Sequence, residues 1–233
     1  MSGRKNKTFS IKYRFCFADG KEKAFNLEID SSTLALIDDF DTEYPEWTKT
    51  ANLGCGHCSA GESHCRLART IGYFIKQFDN IPSYENVKIY VETENRTYFK
   101  ETSVQAGVGG IFGILMSTSG CPVLGKLKPM VRYHLPFADI EETEYRVFSM
   151  YMLAQYFKMK KGTPPDLEMD HLKATYEEIG KINRRLAKAI ADLEKTDTSI
   201  NAVVALNNFA DSVTYSLEDK LEDIEKLFKD WMG

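Results

Sequence analysis

The chain has 233 residues, of which 43% are hydrophobic and 27% are charged, the balance of a globular protein with a substantial buried core. Its formal net charge of -4 argues against a nucleic-acid-binding protein, because such proteins usually carry a strong basic excess. The longest apolar stretch, residues 108–116, is interrupted by glycines and is far shorter than the roughly 20 residues that span a bilayer.

The N-terminal segment predicts a β-hairpin. Between residues 8 and 30, two runs of alternating apolar and polar residues flank Asp19-Gly20, a strong signal for a tight turn. Cys16 lies on the polar face of the first run, so we interpret it as a bystander. Residues 32–40 predict a short helix, and residues 44–47 predict a turn that holds an anchoring aromatic residue.

A second hairpin is predicted over residues 87–102, between two helices at 66–78 and 104–117. The second helix contains four glycines, and each costs a helix roughly 1 kcal/mol relative to alanine. A helix tolerates such residues best where another backbone approaches closely. We therefore expect this helix to pack tightly against the sheet or another helix. A phosphate loop is disfavoured because the Gly-Lys-Ser/Thr ending is missing.

The sequence from residue 138 onward predicts long helices. Asp139 to Glu142 resembles a capping box, and Gly162 with the prolines just after it marks a helix end. An aromatic stripe within residues 145–157 is interpreted as core rather than as a cofactor site. Residues 166–195 carry a heptad pattern with polar Asn183 in its seam, a position that favours one register or pairing. A loop at 197–199 and a last helix from about 200 to 231 complete the chain.

These elements predict an α+β fold, with two N-terminal β-hairpins and short helices followed by a C-terminal bundle of about three long helices. Residues 1–137 are expected to form the α+β region that carries the cysteine cluster. Residues 138–233 are expected to form the helical bundle, packed on the first region.

Four of the five cysteines predict one metal site. Cys55, Cys58 and Cys65 form a Cys-x2-Cys-x6-Cys run with glycines beside the first cysteine, and Cys121 follows far away in Ser-Gly-Cys-Pro. Residues 1–8 are polar and basic and show no secretory signal, so we expect a cytoplasmic protein. In that compartment, clustered cysteines are more often metal ligands or redox groups than disulfides.

The spacing leaves the identity of the metal open. Four thiolates suit a structural zinc ion, which we favour, although Cys65 and Cys121 arrive singly rather than as the close pair of standard zinc modules. The alternative is a redox or sensor protein with a [4Fe-4S] cluster, because a cysteine followed by proline also ends a ferredoxin run. His57 and His64 could replace a thiolate or donate hydrogen bonds to the sulfurs.

No catalytic residue stands out from the sequence. A metal-dependent enzyme would need an open position on the metal, and the residue order of the zinc deaminases is missing. His134 is expected to be a packed histidine rather than a ligand. The long C-terminal helices offer a surface for a protein partner or for self-association, whereas nucleic-acid and membrane partners are not expected.

Several segments of the chain carry a resemblance: the hairpin turn at residues 17–20, the cysteine run, and the segments at 117–122, 132–137 and 150–157. In these segments the chain resembles a family of uncharacterised bacterial proteins, a domain family of unknown function. The family often has proline after its first cysteine, where this chain has Gly56. The resemblance implies that the four cysteines and the His134 segment belong together, and it implies no reaction.

Overall fold

The N-terminal half forms one antiparallel sheet. Its strands are β1 (Thr8–Cys16), β2 (Glu22–Asp30), β3 (Leu36–Ile37), β4 (Asn86–Glu92) and β5 (Thr97–Ser103). They follow the order β3-β2-β1-β4-β5 in this computed structural model, which describes residues 8–37, 44–58, 61–192, 197–218 and 221–233. Both predicted hairpins are present, and pairing of β1 with β4 joins them into a single sheet.

The three longest helices that the structure describes follow one another in the C-terminal half of the chain, and shorter helices lie before and after them. They are α1 (Thr50–Leu53), α2 (Arg66–Ile75), α3 (Val104–Thr118), α4 (Lys128–Arg132), α5 (Ile140–Lys160), α6 (Asp170–Ala191), α7 (Asp197–Glu218), α8 (Glu222–Glu225) and α9 (Lys229–Met232). Short 3-10 turns cover Glu46–Thr48, Lys76–Phe78, Leu124–Leu127 and Lys226–Phe228. The three long helices α5, α6 and α7 agree with the predicted bundle, but the shorter helices around them were not all foreseen.

Alternation along β1 explains which face of the sheet is buried. Phe9, Ile11, Tyr13 and Phe15 are buried, while the residues between them are only partly covered. Gly20 has a φ of +84° in the turn to β2, a conformation that glycine adopts without steric cost. The hairpin prediction is confirmed.

The glycines of α3 allow this helix to lie directly on the sheet. A Cβ atom at Gly107 would stand 2.5 Å from both the Phe15 ring and Ile89 Cδ1, and one at Gly110 would stand 2.5 Å from the Tyr13 hydroxyl. No side chain fits in that space. The other side of α3 packs on α7, so the helix is enclosed between the sheet and the C-terminal helices. The expectation of close packing is confirmed.

The helix predicted over residues 32–40 is wrong in its described part, and residues 38–40 lie outside the described ranges. Asp30 Oδ1 accepts hydrogen bonds from the backbone and the hydroxyl groups of both Ser32 and Thr33. These bonds hold the chain in a turn that competes with a helix. The turn leads into the two-residue strand β3, which pairs with the end of β2.

The C-terminal segment differs from the prediction at both ends of its last helix. Helix α7 begins at Asp197, where a loop was predicted, and it ends at Glu218 instead of continuing to Trp231. Leu221, with a φ of +59°, stands just before α8 and changes the direction of the chain. The long helix is thus replaced by α7 and a set of short turns.

Helix α5 begins with the predicted capping box: the Asp139 side chain accepts a hydrogen bond from the Glu142 backbone, and the Glu142 side chain accepts one from the Asp139 backbone. The aromatic stripe interpretation is mostly wrong. Of the stripe, Phe148 is buried, whereas Tyr145 and Tyr156 are exposed. Few elements cover this helix, which explains the exposure.

The seam of the heptad pattern is buried inside the chain by the packing of α6 against α7. Leu172, Tyr176, Ile179, Asn183 and Leu186 are all buried there. Leu193, the last residue of the predicted pattern, lies outside the described residues. The division into regions 1–137 and 138–233 stays a prediction, and buried residues from both belong to one hydrophobic cluster. In the part of the chain described here, no helix has both the length and the apolar character needed to cross a membrane.

Candidate functional site

The cysteine run forms a loop that is closed at its base. Lys49 pairs with His64 as an isolated antiparallel bridge, and the Cys65 N–H donates to the Thr48 carbonyl at 2.8 Å. Between these ends, α1 stops at Gly54, whose φ of +55° turns the chain towards Cys55. The loop base therefore holds both ends of the run while the first two cysteines lie on its irregular part.

Cys65 occupies the position just before α2. It is the N-cap residue of this helix, and its side chain makes no capping hydrogen bond. Burial raises the pKa of the Cys65 thiol to about 11, and the nearby backbone N–H groups of Ala68 and Leu67 oppose the increase. N–H groups at the start of a helix favour negative charge, so they would help to stabilise this sulfur as a thiolate.

Cys121 lies just after α3, behind Gly120, whose φ of +88° turns the chain at the helix end. Burial raises the pKa of the Cys121 thiol, and the nearby backbone N–H groups of Leu124 and Val123 act in the opposite direction. These N–H groups stand two and three residues after the cysteine, the same offsets as at Cys65.

The fold brings the distant Cys121 to the cysteine run. The charge of Cys121 helps to raise the pKa of both Cys58 and Cys65, after the larger effect of burial, and Cys55 acts on Cys121 in the same way. Each of the four thiols thus lies within electrostatic range of at least one other.

The packing of the Arg66 side chain against Gly120 supports the same meeting of segments. A Cβ atom built on Gly120 would lie 3.3 Å from Arg66 Cδ and Nη1, so the residue after Cys65 packs against the residue before Cys121. Arg66 also forms an ion pair with Glu62 at 2.7 Å. The starts of α2 and of the segment after α3 are therefore neighbours.

The side chains do not stand in a coordination geometry. Among the residues that the structure describes, no group of three or more His, Cys, Asp or Glu side chains is arranged to hold a metal ion. All five cysteines are free thiols.

The histidines of the run have other partners. His57 Nε2 lies 3.0 Å from Glu178 Oε2 on α6, and His64 Nδ1 lies 3.0 Å from Ser63 Oγ. Neither of these two contacts is made to a sulfur atom. His57 links the loop to α6, a role that the sequence did not indicate.

The remaining sequence candidates lie apart from the four thiols. Cys16 is hydrogen-bonded with Arg14 and Glu22 on the outer side of the sheet, in keeping with a bystander. His134 packs as expected, with its Nε2 atom hydrogen-bonded to the Tyr13 hydroxyl at 2.6 Å, and burial lowers its pKa to about 3. The histidine is therefore neutral at physiological pH.

Sequence reasoning missed a cavity of about 430 Å³ next to α3, which His134 lines together with Arg146, Tyr176 and Asn183. The lining residues come from eight elements and loops that are spread along the chain, so no single sequence pattern indicates the cavity.

Comparisons with curated proteins and with solved structures find no match. A profile of the family DUF6901, described as a domain of unknown function, matches residues 11–229. This match confirms the resemblance to an uncharacterised domain family, and it carries no information on the cysteine run. The chain belongs to the DUF6901 family.

Proposed function

We propose that this protein binds one metal ion through Cys55, Cys58, Cys65 and Cys121, and that the ion is a structural zinc. The observation that carries the proposal is that two segments far apart in sequence lie next to each other. Arg66 contacts Gly120, and Cys121 raises the pKa of the Cys58 and Cys65 thiols. A bound ion would fasten the loop before α2 to the end of α3.

Backbone N–H groups near two of the sulfurs support a thiolate site. At Cys65 and at Cys121, two N–H groups at matching offsets lower the thiol pKa against the effect of burial, and such groups stabilise the negative charge of a coordinated sulfur. Without a cation, burial and the neighbouring thiols favour the protonated form. A zinc ion would supply the missing positive charge and release the thiol protons.

The alternative is a [4Fe-4S] cluster on the same four cysteines, which would make the protein a redox or sensor protein. One feature favours it: Pro122 follows Cys121 directly, as proline does at the end of a ferredoxin run. A metal-dependent enzyme is a weaker proposal, because it requires one ligand position to stay open.

Elemental analysis of protein purified without oxygen tests the proposal. We expect about one zinc per chain and a colourless protein, because four thiolates complete a tetrahedral zinc site. Cys121→Ser should lose the metal, whereas Cys16→Ser is the matched control and should keep it. A brown protein that contains iron and sulfide would favour the cluster instead.

The proposal fails if the wild-type protein, supplied with zinc or iron during expression, contains neither metal. It also fails if Cys121→Ser binds zinc as tightly as the wild type, since the distant sulfur would then have no part in the site. Circular dichroism of the variant distinguishes loss of the metal site from loss of the fold.

The interaction surface predicted for the C-terminal helices stays a prediction. The heptad seam of α6 is covered by the chain itself, but α5 leaves Leu153, Tyr156, Phe157 and Met159 about half exposed. Of these helices, α5 therefore offers the face best suited to a protein partner.

A further inference from the structure

The cavity next to α3 has the size and lining of a small-molecule site. Its volume of about 430 Å³ lies within the range of roughly 300–1,000 Å³ found for ligand pockets. Gly109 and Gly113 form part of one wall, where the helix backbone lies open to the cavity. Apolar side chains from α3, α4, α6 and α7 supply most of the rest: Ile114, Met130, Ile179, Leu206 and Phe209.

The charged lining residues all carry positive charge. Lys100 and Arg146 line the cavity, and no Asp or Glu is found among the lining residues that the structure describes. Lys100 is exposed and lies on β5, whereas Arg146 is only partly accessible and lies on α5. His134 adds no charge at physiological pH. The cavity is therefore a largely apolar space with one sheltered cation.

Arg146 keeps hydrogen-bonding capacity for a ligand. Its Nη2 atom donates to the carbonyl oxygens of Met130 and Tyr133 at 3.1 Å and 3.0 Å, and an arginine has further N–H donors. Glu142, one helical turn away, raises the pKa of Arg146 against the larger effect of burial, but no ion pair of Arg146 is found among the described residues. Its guanidinium group thus lacks the anion that a sheltered cation normally has.

A second polar group in the lining also lacks a partner. Asn183 is only 1% exposed, and its Oδ1 atom has no hydrogen-bond partner among the described residues. A buried acceptor without a partner costs about 1–3 kcal/mol, so such atoms usually meet a ligand or an ordered water. Tyr176 lies two helical turns before Asn183 on the same face of α6 and is close enough for Arg146 to affect its pKa.

We propose that this cavity binds a small carboxylate with a largely apolar body. The carboxylate pairs with Arg146, whose planar fork of donors matches two carboxylate oxygens. The body lies along Gly109 and Gly113, and Asn183 Oδ1 accepts a hydrogen bond from a donor on the ligand or a bridging water. One sheltered cation suits a single negative charge better than a phosphate dianion. The site shares none of the four cysteines, so it stands independently of the metal proposal.

Calorimetric titration of the full chain with two pairs of probes tests this proposal. The pairs are decanoate with decanol and naphthoate with naphthol, which differ in the head group and share the body. We expect at least one carboxylate to bind the wild type about tenfold more tightly than its alcohol, the effect of a charge-assisted hydrogen bond. Arg146→Gln should abolish that preference while changing the alcohol affinity by no more than about twofold.

Arg184→Gln is the matched control, because Arg184 is exposed on α6 and is not among the lining residues of the cavity. Gly109→Leu is a second variant: an added Cβ would meet nothing nearer than 4.0 Å, and the longer side chain would narrow the cavity. This variant should weaken the binding of both the carboxylate and the alcohol of each pair. The proposal is overturned if neither carboxylate binds the wild type more tightly than its alcohol, or if folded Arg146→Gln retains the preference.

Discussion

At the scale of single residues, the Asp166 carboxylate shows how one side chain closes the connection between α5 and α6. It accepts hydrogen bonds from the Tyr151 hydroxyl, from His171 Nδ1 and from the His171 backbone N–H. These donors favour the charged form and lower the pKa of Asp166 to about 2, from an ordinary value of 3.8.

This shift predicts a pH-dependent contribution to stability. Because the folded pKa lies below the unfolded one, the ionised carboxylate stabilises the fold fully above about pH 4, and the contribution is lost as the pH falls towards 2. Asp166→Asn should therefore unfold at lower urea concentration than the wild type at pH 6, and the difference should shrink between pH 4 and pH 2. Circular dichroism during urea unfolding measures both.

Glu168→Gln is the control for this prediction, because it removes an exposed carboxylate two residues away. It should leave the free energy of unfolding nearly unchanged across the same pH range. An Asp166→Asn variant whose deficit stayed constant down to pH 2 would contradict the assigned role of the carboxylate.

At the scale of elements, α3 owes its position to glycines that are not equivalent. A Cβ atom would collide with the Phe15 ring and Ile89 at Gly107, but at Gly109 it would meet nothing nearer than Ala202 O at 4.0 Å. Phe15 is fully buried in the core, so its ring has little room to move.

The two positions predict opposite effects of the same substitution. Gly107→Ala should lower the free energy of unfolding by about 1–3 kcal/mol through overpacking. Gly109→Ala should be neutral or raise it by up to about 1 kcal/mol, because alanine favours the helix. Chemical unfolding of both variants measures the difference. Equal effects would mean that α3 does not lie on the sheet as described.

Local signals explain why some elements could be predicted and others could not. The capping box of α5 and the alternation in β1 are set by neighbouring residues, so the sequence alone indicates them. The helix expected at residues 32–40 failed because Asp30 binds the backbone and hydroxyls of the next residues instead. The exposed aromatics of α5 follow from the packing of distant elements, which periodicity does not contain.

In the candidate site, too, the sequence indicated some features and did not indicate others. Cysteine spacing identified the residues of the proposed metal site, and folding was needed to bring Cys121 to the other three. The contact of His57 with Glu178 had no sequence signal. The proposed carboxylate cavity also had no sequence signal, because Arg146 and Asn183 line the same cavity only when α3, α5 and α6 pack together.

At the scale of the whole molecule, the burial of Asn183 bears on both the oligomeric state and the stability of the protein. The heptad pattern suggested that this residue sets pairing between chains, but the structure buries it against the protein's own helices with Oδ1 lacking a described partner. Asn183→Leu should therefore leave the mass in solution unchanged and raise the free energy of unfolding by about 1 kcal/mol, since it removes an unsatisfied acceptor.

Light scattering after size-exclusion chromatography measures the mass, and urea unfolding measures the stability. Asn201→Leu is a suitable comparison, because the Asn201 side chain donates to Ser83 Oγ at 3.0 Å and its loss should destabilise the protein. A change in mass for Asn183→Leu would show that the seam lies between chains.

The placement of α3 has a consequence for how the protein can be divided. This helix presents Gly107 and Gly110 to the sheet, while Gly109 and Gly113 face Ala202 and Leu206 on α7. Neither the part of the chain before residue 137 nor the part after it can cover both apolar faces of α3 by itself. Cutting the chain near residue 137 would expose an apolar, aggregation-prone surface on both pieces. The intact protein should therefore unfold in a single cooperative transition.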